Sequence, residues 1–148
     1  MPYARKDAGV RLVLDTNVVL SGLVWRSHPR RLLDLAREGA VSLYTSSVLL
    51  DELADVLSRE KWATKLATKQ THAAYLMQRY GVLAKVVRTQ HIGRVVPNDP
   101  GDDAVIACAL AARADLIVSG DKHLHSLGGE YNGIAIVTPA QAVQRIAR

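Results

Sequence analysis

The chain has 148 residues, a formal net charge of +5 and one cysteine. That length suits a single domain with its own core, and the lone Cys108 excludes an intrachain disulfide and points to a reducing compartment. The first nine residues are charged and lack the apolar stretch of a secretory signal, while the longest apolar run, Ala104 to Ala112, is about half of what crosses a bilayer. The expectation is a cytoplasmic protein with no membrane partner, residues 1–10 forming a flexible leader and residues 11–148 one domain.

In chain order, RLVLDTN (Arg11 to Asn17) comes first. Leu12, Val13 and Leu14 are too short an apolar run for a helix and read as a buried strand. Asp15, Thr16 and Asn17 would stand at its carboxyl end, the edge where open parallel sheets bind ligands. Asp15 is then either a cap for the next helix or one wall of a site. Val18 to Trp25 reads as a short helix broken at Ser27-His28-Pro29, and Arg30 to Glu38 as a second, with Gly39 at its C′ position. Val41 to Tyr44 is a strand. Thr45, Ser46 and Ser47 offer N-cap oxygens to a helix from Val48 to Ser58.

A long helical stretch is predicted over Ala63 to Tyr80, closed by Gly81, then a strand from Val82 to Val87. Pro97 and Pro100 bracket a turn, and Gly101-Asp102-Asp103 opens a helix to Arg113. Leu116 to Val118 and Ile134 to Val137 are buried strands, with a Gly-rich loop between them. Thr138-Pro139-Ala140-Gln141 is a capping box with Pro at N1. Strands alternating with helices imply a parallel α/β sheet with right-handed crossovers.

Charge is unevenly spread. From Val56 to Asn98, eight basic residues face Glu60 alone, giving +7, whereas the segment from Asp99 onward carries −2. This arrangement suits either a polyanion held beside a metal site or a solvated helical face. Trp62, Tyr75 and Tyr80 could stack on bases, but their helical spacing favours packing.

Four acids stand out. At about 100° per residue, Leu49, Leu53, Val56 and Leu57 share one helical stripe, Asp51 and Asp55 oppose it, and Glu52 borders it. Glu52 is therefore either a charge answering the helix dipole or a ligand aimed at a site. Asp102 and Asp103 flank the stripe of Ile106 and Leu110; Asp102 is explained as an N-cap, but two acids plus Asp99 exceed what capping requires. Asp121 has the same relation to its strand as Asp15 has to RLVL, so parallel strands put both on one edge. Carboxylates gathered without cations repel one another and take up protons; a hard divalent ion that prefers oxygen resolves the conflict. His123 and His125 read as surface residues in a loop, and Cys108 as a small packed residue.

LVLDTN, the inward Glu of SSVLLDELADVL, DPGDDAVIACALAARADLIVSGD and the closing IVTP together resemble the PIN-domain family. They are most similar to its branch of toxin components of bacterial toxin–antitoxin systems, the VapC-like ribonucleases, over Arg11 to about Ala142. The resemblance implies a three-layer α/β/α sandwich with a central parallel sheet, and Mg²⁺- or Mn²⁺-dependent hydrolysis of RNA phosphodiester bonds. Carried over by position, Asp15, Glu52, Asp103 and Asp121 are the catalytic acids. Asp15, Asp103 and Asp121 hold the ion, and Glu52 completes the cage or orients the attacking water. Asn17 and Ser119 help order the site, and Asp102 is an additional acid. The products would carry 5′-phosphate and 3′-hydroxyl ends. The same resemblance implies an RNA substrate, a cognate antitoxin and a homodimer. Two other readings stand beside it. A phosphoryl-transfer domain is disfavoured because DTN lacks a D-x-D pair, and a non-catalytic RNA-binding or protein-interaction module would use the +7 segment alone.

Overall fold

Leu12-Val13-Leu14 forms the heart of strand β1 (Val10–Leu14). Its side chains alternate between two cores, Leu12 and Leu14 on one face of the sheet and Val13 on the other. Burial on both faces is why this strand reads as a continuous apolar run. The computed structural model describes residues 9–90 and 100–146, apart from the side chains of Pro100 and His123. Residues 1–8 of the leader, Arg94, Pro97 and Asp99 lie outside the described residues.

After β1 come α1 (Thr16–Val24), α2 (His28–Arg37), β2 (Val41–Thr45), α3 (Ser47–Leu57), α4 (Glu60–Thr68), α5 (Ala73–Leu83) and β3 (Ala84–Val86). The chain continues through α6 (Pro100–Ala112), β4 (Leu116–Val118), α7 (Lys122–His125), β5 (Glu130–Tyr131), β6 (Ile134–Val137) and α8 (Pro139–Ile146). Among the described residues the strands form one sheet in the order β3-β2-β1-β4-β6-β5. All pairings are parallel except that of the edge strand β5 with β6. Helices α1, α2, α3 and α8 contribute to the core that holds Leu12 and Leu14. Residues of α6 and α7 pack with Val13, Ile117 and Ile136 on the other face. The architecture is the expected α/β/α sandwich.

The chain walks outward from β1 to β3 on one side and from β4 to β6 on the other. The reversal falls between β1 and β4, so a crevice opens at their carboxyl ends. Asp15 lies there, its N–H extending the ladder to the carbonyl of Val118 (3.1 Å).

Two expectations change. The helix predicted over 63–80 is two helices, broken at Lys69–His72, and Gly81 lies within α5 instead of closing it. The break is a Schellman end: Thr71 N–H donates to Leu66 O, Gln70 N–H to Ala67 O, and Gln70 takes φ +59°. The Gly-rich loop also holds α7 and β5, too short to show a period in sequence. Cys108 is fully buried, and burial pushes its thiol up to about 12. Tyr80 is buried too, and Trp62 packs edge-on against Trp25 (5.6 Å), as helical spacing suggests, whereas Tyr75 is half exposed.

Gly22 is where α1 meets α2 most closely. A Cβ there would stand 2.9 Å from Leu33 Cδ1 and 3.0 Å from the Pro29 carbonyl oxygen. The leucine can turn aside but the proline backbone cannot. Gly22→Ala should therefore cost about 1–3 kcal/mol, read as a lower denaturant midpoint at unchanged slope.

Candidate active site

Asp15 does both things its position allows. It is the N-cap of α1, Oδ1 accepting from Val18 N–H at 2.9 Å, and it lines a cleft at the sheet's carboxyl edge. The described residues on that cleft include Asp15, Thr16, Asn17, Glu52, Asp102 and Asp121. Glu52 arrives from the second turn of α3, half-buried beside the stripe of Leu49, Leu53 and Leu57, while Asp51 and Asp55 face solvent. Asp121 follows β4, as Asp15 follows β1.

Ser119, fully buried, ties the two strand ends together. Its hydroxyl donates to Asp15 Oδ2 and accepts from Asp121 N–H at 2.8 Å. Thr16, which sequence reasoning placed at the strand's carboxyl end without a role of its own, donates from Oγ1 to Glu52 Oε1 at 2.6 Å. Its adjacency to Asp15 in DTN was the only available signal. Thr16→Val keeps the branched shape and removes the donor. If Glu52 acts in the cleft, the substitution should lower whatever activity the cleft supports about tenfold, with an unchanged circular dichroism spectrum.

The helix acids divide. Asp102 (5% exposed) is on the cleft wall with Val105 one turn on; Asp103 (9% exposed) is nearly as buried but is not among the residues lining that cleft. Adjacent helical positions point about 100° apart, so only one of the two can face the cleft squarely. With α6 beginning at Pro100, Asp102 sits in the first helical turn instead of capping it. His125 also departs from expectation. It ends α7, is half-buried, and its Nε2 donates to the Ser119 carbonyl at 2.7 Å. Nothing in the sequence announces this bond.

Among the described residues that line the cleft there is no Lys or Arg. The Asp15 carboxyl is raised above its ordinary value, first by burial; hydrogen bonds from Ser119 and Val18 pull it down, and the Asp121 and Glu52 carboxylates push it up. Asp15 is therefore close enough to feel both of the other carboxylates.

The PIN domain profile matches residues 11–123. The chain belongs to the PIN-domain family. Its fold is similar to that of a chain in the crystal structure of VapBC2 from Rickettsia felis bound to a DNA fragment from their promoter. The TM-score is 0.58 at 14% sequence identity, covering 85% of this chain and 96% of that one. No functionally curated protein matches this PIN domain. No helix among its described residues is long and apolar enough to cross a membrane.

Whether a divalent ion suits this PIN domain is a question of donors. The side chains of Asp15, Asn17, Glu52, Asp102 and Asp121 present oxygen, the donor hard cations prefer. Burial raises Asp15 most, and the smaller push from the Asp121 and Glu52 carboxylates is what such a cation would relieve. Among the described residues no three His, Cys, Asp or Glu side chains form a ready cage. The donor chemistry fits such an ion.

Proposed function

We propose that this PIN domain is a divalent-metal-dependent endoribonuclease, the toxin of a toxin–antitoxin pair. The observation that carries the reading is the cleft at the β1–β4 switch point, where Asp15, Glu52, Asp102 and Asp121 converge. Family membership and the fold likeness to a VapBC2 chain support it. Asp15, Asp121 and an acid of the Asp102-Asp103 pair would hold Mg²⁺ or Mn²⁺. When bound, such an ion makes water more acidic and offsets charge growing on the phosphate. Glu52, steadied by Thr16, would orient the attacking water and accept its proton. Ser119 holds Asp15 and the Asp121 backbone in register, and exposed Asn17 would meet the phosphate at the cleft mouth.

Lys61 and Lys65 on α4 and Arg79 on α5 are exposed, and they would grip the RNA backbone without reading sequence. A protein inhibitor that covers the cleft, a homodimer and a cytoplasmic setting belong to the same reading. The test is incubation of single-stranded RNA with the chain in Mg²⁺ or Mn²⁺. Cleavage that stops with EDTA and leaves 5′-phosphate ends is expected. Metal-independent, steeply salt-sensitive binding without cleavage would favour a non-catalytic RNA-binding module instead.

A further inference from the structure

We infer that His125 is a positioning residue, its Nε2–H holding the Ser119 carbonyl so that Ser119 and Asp121 keep their places at the cleft. The inference deepens the reading of this cleft as a metal-dependent nuclease site and rests on it.

Ser119 uses every polar group it has. Its N–H donates to Val137 O (2.9 Å), its hydroxyl donates to Asp15 Oδ2, and the same oxygen accepts from Asp121 N–H (2.8 Å). The carbonyl accepts from His125 Nε2 (2.7 Å). A carbonyl has no proton to give, so Nε2 must carry it, which fixes the ring's hydrogen-bonding role.

The His125 main chain also donates back, N–H to Asp121 O at 3.2 Å. Segment 119–125 is thus closed twice by one residue, once through backbone and once through side chain. Helix α7 has only four residues. A single turn fixes many dihedrals for few hydrogen bonds and does not persist unaided. Asp121 immediately precedes that turn, and its N–H is held by Ser119. If the turn unwinds, the Ser119 carbonyl is left buried without its donor, and Asp121 loses its fixed starting point. Loss of a group that orients a ligand typically weakens metal affinity or activity about 10- to 100-fold.

The test compares the full chain with His125→Phe, which keeps a ring and removes the donor, and with His125→Gln, whose amide nitrogen can donate from a similar reach. Three quantities are read: Mn²⁺ affinity by calorimetry, hydrogen exchange of the Asp121 amide without metal, and kcat against KM for RNA. His125→Phe should weaken Mn²⁺ binding about tenfold, speed Asp121 exchange by a similar factor and lower kcat with little change in KM. His125→Gln should restore all three. The inference is overturned if His125→Phe matches the unaltered chain in exchange and affinity, or if His125→Gln is as impaired as His125→Phe. Should the unaltered chain bind no Mn²⁺, the metal-site reading fails on that result alone. Asp121 exchange then still decides whether His125 holds the turn.

Discussion

Asp15→Asn should abolish RNA cleavage, by roughly two orders of magnitude or more, while leaving the metal-free fold as stable as before or more so. The loss should exceed the 10- to 100-fold typical of a group that only supports a ligand, since under the proposed mechanism Asp15 would hold the ion itself. The stability half follows from the raised carboxyl. A native chain that binds this proton more tightly than the unfolded chain loses stability as pH climbs from the ordinary aspartate range near 3.8 through the raised value, and the penalty is complete above it. Asparagine removes the charge and keeps an oxygen for Val18 N–H, while its amide nitrogen donates to Ser119 Oγ in place of the bond that hydroxyl gave, so at neutral pH the charge-burial penalty disappears. Thermal unfolding with and without Mn²⁺ checks both halves. The unaltered chain should gain about 2.7 kcal/mol at a hundredfold excess over Kd, and Asp15→Asn should gain almost nothing. An Asp15→Asn chain that still cleaves RNA would remove this residue from the mechanism.

Asp102→Asn should cost far more activity than Asp103→Asn, about a hundredfold against a few-fold. The sequence resemblance favours Asp103, which stands immediately before Ala104-Val105-Ile106; the geometry favours Asp102, the acid on the cleft wall. Both belong to the first turn of α6, where an acid gains from the helix dipole, so both substitutions should cost some stability. Only the acid facing the ion should also change Mn²⁺ affinity. Measuring kcat/KM and the Mn²⁺ dissociation constant for the two variants side by side separates these effects. Equal losses would mean that both carboxylates serve the cleft, and a larger loss in Asp103→Asn would restore the assignment drawn from the motif.

These two acids also mark where sequence reasoning stops. A buried parallel sheet writes itself as short apolar runs, so Leu12-Val13-Leu14 and Leu116-Ile117-Val118 were legible, as were the acids at their ends. The capping box at Thr138 was legible too, its two reciprocal bonds being made at 2.9 and 3.2 Å. Helix ends were legible unevenly: the end of α6 near Arg113 was read correctly without a glycine, whereas Gly81, read as a helix end, lies inside α5. Helix α2 closes in a Schellman motif at Gly39 (φ +83°), as predicted, whereas α4 and α6 close the same way at Gln70 and Arg113, residues that rarely take positive φ. Without that signal α4 and α5 merged into one. Asp102 reads in sequence as a cap but lies within α6, and only the fold shows which of two adjacent acids, about 100° apart, lines the cleft. Side-chain hydrogen bonds outside the helix and strand ladders, from Thr16 to the Glu52 carboxylate and from the His125 ring to the Ser119 carbonyl, leave no periodic trace at all.

A crystal of the chain soaked in Mn²⁺ and measured at the manganese absorption edge addresses the central claim most directly. The account predicts an anomalous peak in the cleft between Asp15 and Asp121, with Glu52 or Asp102 completing its surroundings directly or through water. A cleft that stays empty at Mn²⁺ concentrations supporting RNA cleavage, or a peak bound only elsewhere, would contradict it.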